Sequence, residues 1–397
     1  MSEKITCKIC GAQEHSIQIH LRKAHPEWTT ERYTATYPDA PLLSEAAKAA
    51  LEKKRAQAET TEAAAPVVSM AGTAANVATL VPKGHVTKKF LHEVFELGAA
   101  KAARSAKGDP IPVSVMTAHS PENQAMVPDV SDNYVYDIDE LKNVILALEL
   151  NIPTLVWGHK GSGKSELLDQ VAARTNRPTI RIQHTVNTEE SHIVGQWTVK
   201  GGQTVFELGP LPTAMQNGWV YCADEYDFGM PSVLAVYQAV LEGKSLVIKE
   251  APAEMRVIKP HPHFRFVATG NTNGSGDESG LYQGTMIQNS ANYDRFGMVI
   301  NKKYMDRKAE SQILQNHCKL VAADADKMVD FATSIRQAYD GAKMSDTISP
   351  RALINASKIG VMRGSFITGL NLSFINKLSK IDREVASGIA QRIFGSV

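Results

Sequence analysis

The sequence predicts an α/β domain built on a parallel sheet, followed by a helical region and preceded by a small cysteine/histidine module. Three observations carry this. From about Asp129 to Arg307, short apolar runs alternate with helical ones, the pattern of parallel strands joined by crossover helices. One strand-to-helix junction in that region reads GHKGSGKS (158–165), a match to G-x-x-x-x-G-K-[ST]. Beyond Asp306 the pattern is helical to the end, with no strand-like run. The divisions expected are a finger-like module at 1–40, an Ala-rich linker with one amphipathic helix at 41–125, the α/β domain at 126–307 and a helical lid at 308–397.

Composition narrows the function classes. At 397 residues the chain has room for two or three domains of about 150 residues. The 43 Lys+Arg residues nearly cancel the 42 Asp+Glu, which argues against gripping nucleic acid by bulk charge. With 43% hydrophobic and 21% charged residues the chain is globular rather than disordered. The most apolar stretch, 144–157, is broken by Glu149, Asn151 and Pro153 and is too short to span a bilayer. MSEKITCKIC at the N-terminus lacks a basic-then-apolar signal pattern, so a cytoplasmic protein with no membrane partner is expected. Cys222 and Cys318 are isolated and read as small core residues.

Cys7, Cys10, His20 and His25 give C-x2-C-x9-H-x4-H. Two thiolates and two imidazoles suit tetrahedral Zn²⁺, which would supply folding energy to a module too small for its own core. His15 stands nearby as a replacement for His20. Residues 44–65 read as a solvated helix or loose tether, and 66–84 as linker. Over 88–103, Phe90, Leu91, Val94, Phe95 and Leu97 share one helical face, which predicts a helix docked on its own domain or on a neighbouring subunit.

In the α/β region, strands are expected at 153–157, 178–183, 218–223 and 264–269, with another after Arg295. A helix is expected at 164–175 and a hairpin at 245–258. The glycines of the 158–165 loop let the backbone wrap a phosphate, and the following helix adds its positive end. The set expected to hold nucleotide is Gly158, His159, Lys160, Gly161, Ser162, Gly163, Lys164, Ser165, Glu166 and Asp224. Lys164 would reach the β- and γ-phosphates, and Ser165 would ligate Mg²⁺. WVYCADEYD (219–227) ends an apolar run in two adjacent acids. Asp224 would complete the Mg²⁺ shell, and Glu225 would polarise the attacking water. FRFVATGN (264–271) ends in Asn271, placed to contact the γ-phosphate. Phosphoryl transfer also needs added positive charge. Arg295, before an apolar strand, and Arg351, within SPR (349–351), are on offer, although spacing alone does not single them out.

At this point the residues resemble the MoxR group of AAA+ ATPases, and within it the small-subunit branch of aerobic cobaltochelatases (CobS-like). The resemblance covers roughly 125–355. It rests on VWGHKGSGKSELLDQVAAR (156–174), YCADEYDFGMPSVL (221–234), the run from Asn271 through GLYQG (280–284), NYDRFGMV (292–299) and TISPRALI (347–354). It implies a P-loop AAA+ domain with a helical lid, sensor 1 at Asn271, an arginine finger at Arg295 and sensor 2 at Arg351. It also implies an insert at 192–211 and a hairpin at 245–258 that face a ring pore or partner. A hexameric ring with sites completed between protomers follows, as does a partner carrying a von Willebrand A domain. Separately, 7–38 resembles the Ros/MucR zinc finger, whose members bind DNA. Here, however, Lys4, Lys8, Arg22, Lys23 and Arg32 are balanced by Glu3, Glu14, Glu27, Glu31 and Asp39. A neutral finger is a weak phosphate binder, so protein docking, nucleic-acid binding and a purely structural role all stay open.

The expectation is therefore an enzyme that uses ATP and Mg²⁺, with Zn²⁺ in the finger, and remodels a protein client as a ring. The alternatives are a DNA-associated ATPase docked through its fingers and a nucleotide-gated assembly platform with little turnover.

Overall fold

The structure is a computed structural model that describes residues 4–25, 29–45, 86–98, 101–117, 119–278 and 280–395. It divides into two compact units, Met1–Thr73 and Ala74–Val397. The expectations for 46–65 and 66–84 lie outside the described residues.

The small unit pairs two-residue strands, Ile5–Thr6 with Gln13–Glu14, and follows them with helices Ile17–Ala24 and Thr30–Thr36. Ser16 caps the first helix and Thr29 the second, each accepting a backbone N–H three residues on. Its buried apolar core is Cys7, Ile17, Leu21, Tyr33 and Ala40.

The large unit is organised by five strands: β1 (Thr154–Trp157), β2 (Thr179–Gln183), β3 (Val220–Asp224), β4 (Arg265–Gly270) and β5 (Met298–Asn301). They form one parallel sheet in the order β5-β1-β4-β3-β2. Side chains alternate between its faces. Val220, Cys222 and Val267 join a cluster with helices α1 (Ile138–Leu150) and α2 (Lys164–Arg174). Tyr221, Ala223, Phe266 and Ala268 join a second cluster that includes α3 (Pro210–Asn217). Because both faces are covered, the strands read as continuous apolar runs rather than as alternation. The adjacency of β1, β4 and β3 brings the ends of three motif-bearing strands to one edge.

The helix expected at 88–103 is not formed. Val86–Phe90 is a strand paired antiparallel with Pro112–Met116, and among the described residues only Leu91–Val94 is helical before a 3₁₀ turn at Lys101–Ala103. Tertiary pairing overrides the helical period. Lys88 Nζ donates to Glu149 Oε2 and Ser114 Oγ, both at 2.6 Å, holding the strand on α1. Glu96 and Gly98 have φ of 54° and 59°, which ends the helix early. Leu91 and Phe95 still pack on the domain's own core, whereas Phe90 is exposed.

The hairpin expected at 245–258 forms through Leu246–Val247 and Val257–Ile258. The insert at 192–211 forms a longer hairpin, Gly195–Lys200 with Gln203–Leu208. The indole Nε1 of Trp197, half exposed, donates to Glu250 O at 3.0 Å and joins the two hairpins. The C-terminal region is helical: α4 (Arg307–Cys318), α5 (Ala322–Asp340), α6 (Pro350–Arg363), α7 (Phe366–Ser373) and α8 (Lys380–Phe394). It has its own core around Met328, Phe331, Leu353, Leu370 and Ala386. Among the described residues, no helix is long and apolar enough to cross a membrane.

Candidate functional site

The loop between β1 and α2 is shaped by glycines. Gly158, Gly161 and Gly163 have φ of 153°, 69° and 83°, and two of them are also enforced by space. A Cβ on Gly158 would lie 2.1 Å from Lys302 O, and one on Gly161 would lie 2.6 Å from Ser349 Cβ. The loop is thus clamped between β5 and the start of α6. Ser162 is buried, and its Oγ has no hydrogen-bond partner among the described residues.

Lys164 is folded back on this loop. Its Nζ donates to Gly158 O (2.6 Å), His159 O (3.1 Å) and Asn271 Oδ1 (3.0 Å). Burial pushes its ammonium down to about 8, opposed by the charges of Asp227, Asp224 and Glu225. Ser165 Oγ donates to Asp224 Oδ1 at 2.9 Å, and Thr269 Oγ1 donates to the same oxygen. This all-oxygen pair, a hydroxyl and a carboxylate on adjoining elements, fits a hard divalent cation such as Mg²⁺. Glu225 takes the left-handed conformation (φ 51°), a strained choice for a non-glycine residue. Its carboxylate accepts from Gln183 Nε2 at 2.6 Å.

A cavity of about 300 Å³ opens beside the loop, lined by Tyr134, Val135, Ser162, Gly163, Glu166, Met305 and Arg351 among others. Glu166 there accepts from Gln170 Nε2 one helical turn on, at 3.2 Å. Lys160 takes a different course: its Nζ pairs with Asp346 of the lid at 2.5 Å. His159 stacks on Tyr304 with ring centroids 5.8 Å apart, and its Nδ1 lies 3.0 Å from Tyr282 Oη. These two side chains bind the loop to its surroundings. Arg295 lies outside this cluster and does not line the cavity beside the loop. It donates through Nε to Glu242 Oε1 (2.7 Å) and through Nη1 to Ala291 O (2.5 Å).

Several neighbours escaped sequence reasoning. Gln183 and Thr269 touch the acids from β2 and β4. His184 is buried behind Asp224: its Nδ1 donates to Asp224 O (3.1 Å), so its Nε2 accepts from Tyr237 Oη (2.8 Å). Burial lowers the His184 imidazole, consistent with this neutral tautomer. No local pattern marks these residues; their only signal is a position at the end of a strand adjacent in space.

In the small unit, the ligand atoms of Cys7, Cys10, His20 and His25 all lie within 4.8 Å of one another. Cys10 Sγ and His20 Nε2 are 3.1 Å apart. Burial acts upward on the Cys7 thiol, but hydrogen bonds from the Cys10 and Ile9 backbones hold it below its ordinary value. His15 faces Ser44 instead, with Nδ1 3.0 Å from Oγ. This donor set and its mutual spacing fit a closed tetrahedral Zn²⁺ site.

Comparison with known proteins adds family context. Residues 153–285 match the model described as AAA domain (dynein-related subfamily), and 310–391 the CbbQ/NirQ/NorQ C-terminal model. Neither reaches the Cys/His module. Over 285 residues the chain is 34% identical to the aerobic cobaltochelatase subunit CobS of a Sinorhizobium species, covering 69% of this chain and 85% of that protein. It is 24% identical over 230 residues to protein CbbQ of Hydrogenophilus thermoluteolus, covering 58% of this chain and 82% of that protein. It is also 31% identical over 187 residues to von Willebrand factor A domain-containing protein 8 of Mus musculus, covering 43% of this chain but only 9% of that protein.

Proposed function

Since the chain belongs to the CobS/CbbQ-type AAA+ ATPases, we propose that it works as a ring motor that spends ATP to remodel a protein partner, recruited through a zinc-bound finger. The observation that carries this reading is that Lys164 bonds Asn271 and Ser165 bonds Asp224, with Glu225 next to Asp224 in the chain, while Arg295 pairs with Glu242 away from the loop.

In this reading the adenine and ribose occupy the cavity beside Tyr134, Val135 and Met305. Lys164 leaves the carbonyls of Gly158 and His159 for the β- and γ-phosphates. Ser165 and Asp224 hold Mg²⁺, which when bound neutralises the phosphate oxygens. Glu225, steadied by Gln183, takes the proton of the attacking water, and Asn271 orients that water. Arg351 reaches the nucleotide from the lid. Arg295 serves the site of the neighbouring protomer, as in a hexameric ring. In the finger, Cys7, Cys10, His20 and His25 hold Zn²⁺. The client is a protein, and the chelatase subunit among the relatives suggests a chelatase-type complex or a partner with a von Willebrand A domain.

Two experiments test the reading. Arg295→Ala should retain ATP binding and lose about a thousandfold in hydrolysis. Small fractions of it should poison wild-type oligomers more than dilution predicts; a strictly proportional loss would contradict action between protomers. Tagged Glu225→Gln protein, recovered from lysate with Mg-ATP, should retain a nuclease-resistant protein partner. Recovery of nucleic acid that depends on Cys7 would instead favour the DNA-associated alternative.

A further inference from the structure

Asp227 lies three residues beyond Asp224, is fully buried and has no part in the scheme above. Its Oδ2 accepts three hydrogen bonds: from Asn271 N–H (2.9 Å), Thr272 N–H (2.8 Å) and Thr272 Oγ1 (2.9 Å). Its Oδ1 has no hydrogen-bond partner among the described residues, so one oxygen carries the whole anchorage. The backbone carbonyl of the same residue accepts from Met286 N–H at 2.7 Å and Gln288 Nε2 at 3.4 Å. One residue therefore grips both ends of the segment 271–288.

That segment runs from Asn271 to the short helix Ser290–Tyr293, directly before Arg295. It contains neither helix nor strand among its described residues, only the isolated bridge Ser275–Ile287. Irregular backbone of this length does not hold a side chain to the half-ångström tolerance that catalysis needs unless something outside it does. A buried carboxylate is costly unless it is strongly hydrogen-bonded. Donors on a charged acceptor are worth roughly twice a neutral pair. An acidic side chain stands here where an apolar one would pack without that cost, and its bonds go to the two residues that set the Asn271 backbone.

We infer that Asp227 is a positioning residue for hydrolysis: it fixes Asn271 beside Lys164 and holds the turn bearing Glu225 and the segment leading to Arg295 as one unit. This rests on the role proposed above for Asn271.

The test uses the full chain and three variants, reading kcat, affinity for the slowly hydrolysed analogue ATPγS, and thermal melting. Asp227→Ala should lower kcat about a hundredfold, the scale of an ångström misplacement, with analogue affinity within about threefold of wild type. Asp227→Asn keeps an acceptor oxygen and should recover part of that loss. Thr272→Val removes one of the three donors and should lower kcat about fivefold, as expected for about 1 kcal/mol. If Asp227→Ala does not fold, the other two variants carry the test. Affinity and melting that fall in step with kcat would reduce Asp227 to a structural residue, and unchanged kcat in both Asp227→Asn and Thr272→Val would overturn the inference. Asn271→Ala separates the two levels: normal kcat there removes the role of Asn271 itself, whereas a slow Asn271→Ala beside normal Asp227→Asn and Thr272→Val removes only Asp227.

Discussion

Every residue of β4, Arg265–Gly270, is buried, and a separate apolar cluster closes over each face of its sheet. Among the described residues of the small unit the buried core is five residues, and one of them, Cys7, is also a candidate metal ligand. In the large unit, folding rests on apolar area and leaves the polar strand ends free for chemistry. In the small unit, under the reading proposed above, a metal on four ligand atoms would supply much of the fold.

The comparison can be broken most sharply at the metal. Structural zinc in finger peptides contributes about 10–16 kcal/mol of apparent binding energy, so chelation or Cys7→Ser should abolish amide-exchange protection across residues 4–45. Melting of the large unit should stay where it was. Protection that survived metal removal would show that five core residues suffice. Next comes the sheet: Phe266→Ala, at a buried position of β4, should cost about 3–5 kcal/mol and lower the melting temperature without altering zinc content. Lys164→Ala sharpens the other half of the contrast. It should weaken ATP at least about a hundredfold, since hydrogen bonds to charged groups are worth about 1.5–3 kcal/mol each, while leaving zinc content unchanged. An undiminished affinity in titration calorimetry would contradict the reading of the loop.

The smallest effect is a pH dependence. Burial acts upward on the Glu149 carboxyl, but hydrogen bonds from Lys88 and Ser114 outweigh it and hold the group below its ordinary value of 4.5. A carboxylate depressed by folding contributes stability that is complete above its unfolded value and is lost as pH falls through the folded one. Acid should therefore loosen the strand pair Val86–Phe90 and Pro112–Met116 before the sheet, as read by amide exchange. Glu149→Gln should remove that acid sensitivity.

The strands, the phosphate loop and the paired acids at 224–225 were legible because each is written in a short run of consecutive residues. Long-range contacts were not. The helical period over 88–103, carried by Leu91, Val94 and Phe95, hides the strand Val86–Phe90, whose partner Pro112–Met116 is distant in sequence and has no pattern of its own. Gln183, Thr269 and Asp227 escaped for the same reason, since each meets its partner across more than forty residues of chain. Arg295 and Arg351 could be named only by family likeness. In isolation an arginine before a strand is an ordinary surface residue, and here Arg295 does make a salt bridge, with Glu242.

Gly161 touches Ser349 so closely that even a methyl group would intrude, and its neighbour Lys160 is paired with Asp346. The glycine loop and the start of α6 in the lid are therefore neighbours without a spacer. In the reading proposed above, nucleotide leaving the loop would be felt at the start of α6, and a displacement of α6 would be felt at the loop.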